Sequence, residues 1–482
     1  MYRSLSDFIA TLEEMGQLKR ITAEVSSDLE ITEIADRVVK NKGPALLFEN
    51  VKDKRFPVLI NHFGSEERML AALGHSSYKE IQEKMIGFLK PEQPKTLLDK
   101  VKMAPKLIEI SKFFPKEVKS APCKEVVMHD PDLSKLPILR CWPDDPAPFI
   151  TLPMVFSKNP SNGIRNCGMY RMQVYNKDET GMHWQLHKDG AHHFLKSRYE
   201  GTDTMEVAVA LGGDPVITYA ATAPMPPDMD EMMLAGFLRG KPVDMIKCET
   251  VDIEVPADAE FVLEGTVDLT TLRREGPFGD HTGYYSLADN YPVFKITCIT
   301  HRKNAIYPTT IVGIPPMEDE FLAKASERIF LPLLQMTLPE IVDYDLPVHG
   351  CFHNCAIVSI KKRYPGHARK IAHALWGLGQ MMFCKCIIVV DEDVDVHNYE
   401  EVFWRVSNNI DPQRDIHFVE GPVDSLDHAA PLNDYGSKMG IDATRKWKSE
   451  GFDREWPGDI VMSADVKQRV TERWEEYGFD KH

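Results

Sequence analysis

Leu5, Phe8, Ile9 and Leu12 fall three and four residues apart behind Ser4, and Gly16 follows, a spacing that predicts an amphipathic opening helix. Residues 29–39 repeat that period and break at Gly43-Pro44. A continuous apolar run comes next, Ala45-Leu46-Leu47-Phe48, and then Pro57-Val58-Leu59-Ile60 leads into a helix beginning near Ser65. Alternation of this kind predicts an α/β module. The basic, proline-containing stretch 91–122 is expected to be a connector with some helix.

From about residue 125 the period changes. Strand-like runs at 152–156, 171–175, 207–211, 216–220, 261–267 and 293–300 are separated by Gly, Pro, Asp and Asn clusters, as in an antiparallel barrel or sandwich. One helix, 228–238, interrupts them and is closed by Gly240. A longer amphipathic helix around 321–334, with a kink expected near Pro332, leads into a second α/β module. There, buried strands at 356–360 and 386–390 flank a helix at 367–378, and a helix at 399–408 follows. A last charged helix, 464–477, is of a kind that packs on a neighbouring subunit.

Composition narrows the function class. A length of 482 residues suggests two to four domains, and 43% hydrophobic with 27% charged residues supplies several cores. The net charge of -16 argues against nonspecific binding to nucleic acid or anionic membranes, which needs clustered cations. It leaves room for an anionic substrate held by a few local cations. Nine scattered cysteines fit reduced thiols, no signal peptide is evident, and no uncharged apolar run approaches about 18 residues, so a cytoplasmic location is expected.

Chemistry concentrates in Arg274-Glu275-Gly276-Pro277-Phe278-Gly279-Asp280-His281-Thr282-Gly283-Tyr284-Tyr285. An isolated acidic pair is usually a solvated surface loop. Here Phe278 and two tyrosines predict partial burial, and buried carboxylates need a cation or a task. Asn166-Cys167-Gly168-Met169-Tyr170-Arg171-Met172-Gln173 runs into a strand, and Met182-His183-Trp184-Gln185-Leu186-His187-Lys188-Asp189 sets polar residues between apolar ones. Neither is diagnostic alone; a lone His187 is more often a packed or surface histidine than a ligand. His349-Gly350-Cys351-Phe352-His353-Asn354-Cys355 lacks the second cluster a zinc site needs, and its alternation fits one strand entering the core. Asp391-Glu392-Asp393-Val394-Asp395 fails as a calcium loop, because Val396 and Val402 stand where Gly and Glu are required. Cys384 and Cys386 are expected on one strand face as packed thiols.

Together these segments resemble the UbiD family of prenylated-FMN-dependent (de)carboxylases. The resemblance extends to Leu29-Glu30-Ile31-Thr32-Glu33-Ile34-Ala35-Asp36-Arg37, to Gly43-Pro44-Ala45-Leu46-Leu47-Phe48-Glu49-Asn50 and to Gly436-Ser437-Lys438-Met439-Gly440-Ile441-Asp442-Ala443-Thr444; Glu275 to Tyr285 is its most specific piece. The pattern is especially similar to members that decarboxylate 4-hydroxy-3-polyprenylbenzoate in ubiquinone synthesis. Lys188-Asp189 departs from the Arg-Gly found there, and Arg274 stands where relatives often have proline.

The resemblance implies an N-terminal α/β domain with connector (1–122) and a central antiparallel split β-barrel of flavin-reductase type that carries prenylated FMN (123–312). A linker helix (313–345), a C-terminal α/β oligomerisation domain (346–450) and a tail with a helix (451–482) complete the α/β multidomain chain. It implies Asn166, His187 and Glu231 as ligands of Mn2+ or Mg2+, with K+ as a further ion, since oxygen and imidazole donors suit hard divalent metals. The flavin would be lined by Met169, Tyr170, Arg171, His183, Trp184, Gln185, Lys188 and Asp189, with Lys385 reaching its phosphate. Asp280 would return a proton where CO2 leaves, in a charged network with Glu275 and Arg171. Arg171 favours ionised carboxylates and burial favours neutral ones, so the sign of the pKa shift stays open at this level.

The implied partners are an aromatic carboxylic acid, CO2, a UbiX-type flavin prenyltransferase as cofactor supplier, and further copies of the chain in a homodimer or homohexamer. Two rival readings are a redox flavoprotein and a subunit of a multi-protein aryl carboxylase.

Overall fold

The opening helix forms where its spacing places it. It spans Leu5–Glu14, Ser4 caps it by accepting the Asp7 amide, and Leu5, Phe8, Ile9 and Leu12 are all buried. The computed structural model describes residues 2–89, 111, 113–184, 194–197, 201–226 and 228–480. Most of the 91–122 connector therefore lies outside the described residues. Leu18–Ile21 pairs parallel with Ala45–Phe48, which pairs antiparallel with Val58–Ile60. Tyr307–Pro308 completes this four-stranded sheet from far along the chain and sews the first module to the second.

The central sheet is an open path of antiparallel strands: Glu179–Gly181, Asp289–His301, Phe261–Glu275, Thr204–Leu211, Met154–Lys158 and Arg165–Met169, with Val126–Met128 also paired to Asp289–His301. Its two longest strands outrun the expected 261–267 and 293–300. They do so through register shifts at Glu264/Gly265 and Asp268/Leu272. Only glycine fits at the first, because a Cβ on Gly265 would lie 1.9 Å from the Lys295 carbonyl oxygen. The extension carries this strand to Glu275, so the Gly-Pro loop begins at the end of the sheet. The expected strand at 171–175 shrinks to Met172–Gln173, paired with Phe149–Ile150.

Residues 216–220 are a helix, not the expected strand. Asp214 caps Pro215–Ala220 and Pro215 occupies its first turn, a start signal that outweighs the β-branched Val216-Ile217-Thr218. Every residue of this helix is buried, so it shows no polar face by which its period could be read. Glu231–Arg239 follows, capped by Asp230 and ended by Gly240 at φ 67. These helices share one core with the N-terminal ones, through Phe8, Leu12, Tyr219 and Leu238.

The helix Asp319–Thr337 carries Pro332 in its interior and runs on past it. It leads to a five-stranded sheet ordered Ile341–Asp345, Cys355–Ile360, Cys386–Asp391, Tyr435–Asp442, Ile416–Pro422, with a parallel centre and antiparallel edges. Two expectations fail here. Residues 349–355 are not one strand: Cys351 and Phe352 take positive φ (51 and 47), which turns the chain outward, and the strand starts only at Cys355. Cys384 ends a short helical turn before the Cys386–Asp391 strand, so the two thiols share no strand face; the register partner of Cys386 is Cys355. The final helix is shorter than expected, Ala464–Glu472, and it buries no residue. Among the described residues no helix is long and apolar enough to cross a membrane.

Candidate active site

Three chain segments bring charge to one place. Arg171 stands just beyond the Arg165–Met169 strand, Glu275 ends the long central strand, and Asp280 follows in the loop. The Arg171 guanidinium donates from Nε to Glu275 Oε1 at 3.1 Å and from Nη2 to Ser286 Oγ at 3.0 Å. Its Nη1 donates to Asp280 Oδ2. The ring of Phe278 lies 4.7 Å from the guanidinium carbon. Both carboxylates are buried, Glu275 completely.

The loop between them is pinned from outside. Gln173 Oε1 accepts the Gly276 amide at 2.7 Å, and Asp145 Oδ1 accepts the Gly279 amide at 2.9 Å. A Cβ on Gly279 would sit 2.1 Å from Trp142 Cδ1, so the indole permits no side chain there. The loop is partly buried, as expected: Glu275, Asp280 and Phe278 are buried, whereas Tyr284 and Tyr285 are 60% and 39% exposed. The apolar cover comes instead from Trp142 and Phe149, the latter ring 4.6 Å from that of Phe278.

The structure fixes the sign that the sequence left open. Burial pushes the Glu275 carboxyl up, but the His183 hydrogen bond and the Arg171 charge pull harder, and the net lies below the usual glutamate range. Burial also raises Asp280, and Arg171 and His281 more than reverse it, holding Asp280 well below the usual aspartate range. Burial, then Arg171, push His183 down, so its neutral Nδ1 donates to Glu275 Oε1 at 2.8 Å and Nε2 remains an acceptor.

Asn166 lies within Arg165–Met169 and Glu231 opens its helix; both are buried. Glu231 Oε2 accepts the amide of Cys167, the residue next to Asn166, at 2.7 Å. Among the described residues, Asn166 Nδ2, His183 Nε2, Trp184 Nε1 and Glu275 Oε2 are buried without a hydrogen-bond partner. Oxygen donors such as those of Asn166 and Glu231 suit a hard divalent ion, and unspent donors and acceptors suit a polar ring system. Met169 and Tyr170 adjoin Arg171, with Tyr170 buried. Gln185, His187, Lys188 and Asp189 lie outside the described residues. Lys385 is tied within the C-terminal domain, Nζ 2.6 Å from Asp427 Oδ1.

Sequence reasoning missed the contribution of the C-terminal domain. Phe352 stacks on His281 at 5.3 Å, His353 Nε2 lies 2.8 Å from His281 Nε2, and Tyr284 packs 4.2 Å from His428. It also missed Asp145 and Ser286, which carry no local pattern; His281 stood inside the motif but was given no task.

Comparison with known proteins bears on this geometry. Three family models match in order: the 3-octaprenyl-4-hydroxybenzoate carboxy-lyase N-terminal domain over 9–85, its Rift-related domain over 116–315 and its C-terminal domain over 320–443. An uncharacterized protein of Aquifex aeolicus is 52% identical over 99% of each chain, and one of Archaeoglobus fulgidus is 52% identical over 98% of each. The vanillic acid decarboxylase of Sedimentibacter hydroxybenzoicus in closed form is 29% identical, with TM-score 0.86 and full coverage of both chains. An evolved dimeric form of the UbiD-class enzyme HmfF from Pelotomaculum thermopropionicum, in complex with prFMN, is also 29% identical, with TM-score 0.77 over 96% of this chain and 100% of that one.

Proposed function

The chain belongs to the UbiD family of carboxy-lyases, and from that premise we propose how its own residues divide the work of removing a carboxyl group from an aromatic or α,β-unsaturated acid. The observation that carries the reading is the convergence of Arg171, Glu275 and Asp280 on one buried spot, with unspent polar atoms beside it.

Losing CO2 from an aromatic ring strands an electron pair in the ring plane, where the π system cannot take it. Prenylated FMN, when bound, supplies the electrophilic sink that accepts this pair. Asn166 and Glu231, with His187 as third ligand, would hold Mn2+ or Mg2+, a charge that would offset the flavin phosphate inside an acidic protein; K+ would be a further ion. Met169, Tyr170, His183 and Trp184 orient the ring system, joined by Gln185, Lys188 and Asp189, with Lys385 on the phosphate side. The central sheet serves as the split β-barrel of flavin-reductase type.

Asp280 handles the proton. In the resting protein its depressed pKa keeps it ionised against Arg171. A substrate carboxylate that shares the guanidinium weakens that hold, so Asp280 can carry a proton when one is needed. It then delivers the proton to the carbon that CO2 has left and returns to the carboxylate form. The net change is one carboxylate and one proton to one arene and CO2, reversible in principle. Glu275, wholly buried and bridged to His183, keeps Arg171 in register.

The cofactor comes from a UbiX-type flavin prenyltransferase, and the protein works as a homodimer or homohexamer. A 4-hydroxy-3-polyprenylbenzoate is one alternative among the candidate acids, beside hydroxybenzoates, naphthoates, heteroaromatic acids and coenzyme A thioesters of aromatic diacids. The test is co-expression with such a prenyltransferase, identification of the bound flavin by mass, and a screen of aromatic acids for CO2 release. Release without NAD(P)H consumption is expected; strict dependence on NAD(P)H would overturn the reading in favour of a redox flavoprotein.

A further inference from the structure

If Asp280 gives up a proton in each cycle, it must be reloaded, and its surroundings restrict the route. Arg171 Nη1 faces Asp280 Oδ2 but does not release protons in proteins. Asp280 Oδ1 accepts the backbone amide of His281 at 2.8 Å and its Nδ1 at 2.9 Å. Among the described residues, His281 is thus the one side chain hydrogen-bonded to Asp280 that can both hold and release a proton near neutral pH. The other nitrogen of that ring does not end in solvent. Nε2 lies 2.8 Å from Nε2 of His353, 72 positions along the chain, in the loop that precedes the Cys355–Ile360 strand of the C-terminal domain.

Two imidazole nitrogens at that separation share a single proton: one donates and the other accepts. The loop that presents His353 is built to reach outward. Val348–Gly350 forms a tight turn, Cys351 and Phe352 follow at positive φ, and the Asn354 carbonyl anchors the base by accepting the Lys385 and Cys386 amides at 2.9 and 2.8 Å. Phe352 stacks on His281 with an interplanar angle of 18° and fixes the ring plane.

We propose that His281 and His353 form a proton relay that reloads Asp280, and that docking of the C-terminal domain completes it. This rests on the reading of Asp280 as proton donor. In the loading step His353 is an imidazolium and His281 is neutral with its proton on Nδ1. The Nε2 proton of His353 passes to Nε2 of His281 while the Nδ1 proton of His281 passes to Asp280 Oδ1. Both rings end neutral and Asp280 ends protonated; His281, its proton now on Nε2, must turn over to present Nδ1–H again before His353 takes up the next proton on Nε2. The charge surroundings favour the first transfer, from His353 to His281: burial disfavours a charged His281, but its hydrogen bond to Asp280 and the charges of Asp280, Asp319 and Asp424 more than offset this and raise its proton affinity. His281 and His353 are positioning and relay residues; neither need touch the substrate.

The test uses cofactor-loaded protein in deuterated water and reads deuterium at the vacated carbon. His353→Ala and His353→Gln should both lower kcat for exchange by about 100-fold, with KM within about twofold and the flavin absorbance unchanged. Gln restores a hydrogen bond but cannot pass a proton, so its slowness separates a relay from simple positioning. Free imidazole should restore His353→Ala several-fold. Wild-type rates in His353→Gln, or no rescue of His353→Ala by imidazole, would overturn the relay. Histidine 15N NMR of the cofactor-free protein gives an independent readout: the shared Nε2 proton should perturb the His281 signal and vanish in either variant. Two unperturbed, separately solvated Nε2 signals in the wild type would refute the pairing. A wild-type holoenzyme that binds flavin but exchanges no proton with any acid would overturn the decarboxylase reading and the relay's task together, while the NMR result would still judge the pairing itself.

Discussion

Two buried charge networks in this protein look alike in composition and differ in what they leave unsatisfied. One is the Arg171–Glu275–Asp280 site. The other lies where the helix Asp319–Thr337 meets the C-terminal sheet. There Lys324 Nζ sits 2.9 Å from Glu327 Oε2 and also contacts Asp345, while Arg328 reaches Glu327 Oε1 at 2.9 Å and Asp343 Oδ1 at 2.8 Å. His397 bridges Asp345 at 3.0 Å and Asp343 at 3.2 Å, and Tyr399 donates to Asp345 Oδ2 at 3.0 Å. Glu327, Asp345 and His397 offer ligand atoms within 4.8 Å of one another, as a metal site would. The Lys324 ammonium already lies among them, and three cations face three acids. In that second network the two buried atoms without a hydrogen bond, Glu327 Oε1 and Arg328 Nε, face each other as an ion pair, whereas the first sets one guanidinium against two acids and leaves Glu275 Oε2 and His183 Nε2 with no such partner. A network that holds domains together closes its valences; one that waits for a ligand does not.

The difference can be broken from either side. Arg171→Met should be the largest effect. It strands two buried carboxylates, so CO2 release should fall by at least about 100-fold and unfolding should cost about 3–5 kcal/mol less. Lys324→Met should destabilise by about 3 kcal/mol in denaturant titration, yet leave turnover per folded molecule within a few-fold at low temperature. Loss of turnover with unchanged stability in that variant would erase the distinction. Glu231→Gln should weaken divalent-metal affinity by at least about 10-fold by calorimetry, with little change in melting temperature.

Smallest is the pH signature, and His397 and the Glu275–Asp280 pair should differ in its sign. Hydrogen bonds that its ring donates to Asp343 and Asp345 raise His397 from 6.5 to about 9. Its contribution to stability is therefore complete below about pH 6.5 and is lost as pH rises through about 9. Glu275 and Asp280 are lowered, so their contribution is present above the ordinary carboxylate range and is lost as pH falls below it. Melting temperatures of His397→Gln should lose the alkaline slope and keep the acid one.

How far the sequence revealed this follows from particular residues. The opening helix was legible because Leu5, Phe8, Ile9 and Leu12 lie on one stripe with solvent opposite. Pro215–Ala220 was not, because a helix buried on all sides has no period to show. The meeting of Arg171 with Glu275 and Asp280 was legible only through the family resemblance, since no spacing joins positions 104 and 109 residues apart. The direction of their pKa shifts required the distances. The relay through His353 was hidden by an alternation that mimics a strand, where two positive φ values turn the loop outward instead.

The most direct measurement is deuterium incorporation at the vacated carbon by cofactor-loaded Asp280→Asn protein in deuterated water. The account predicts unchanged flavin binding with exchange reduced by at least about 100-fold. Exchange at the wild-type rate would contradict it.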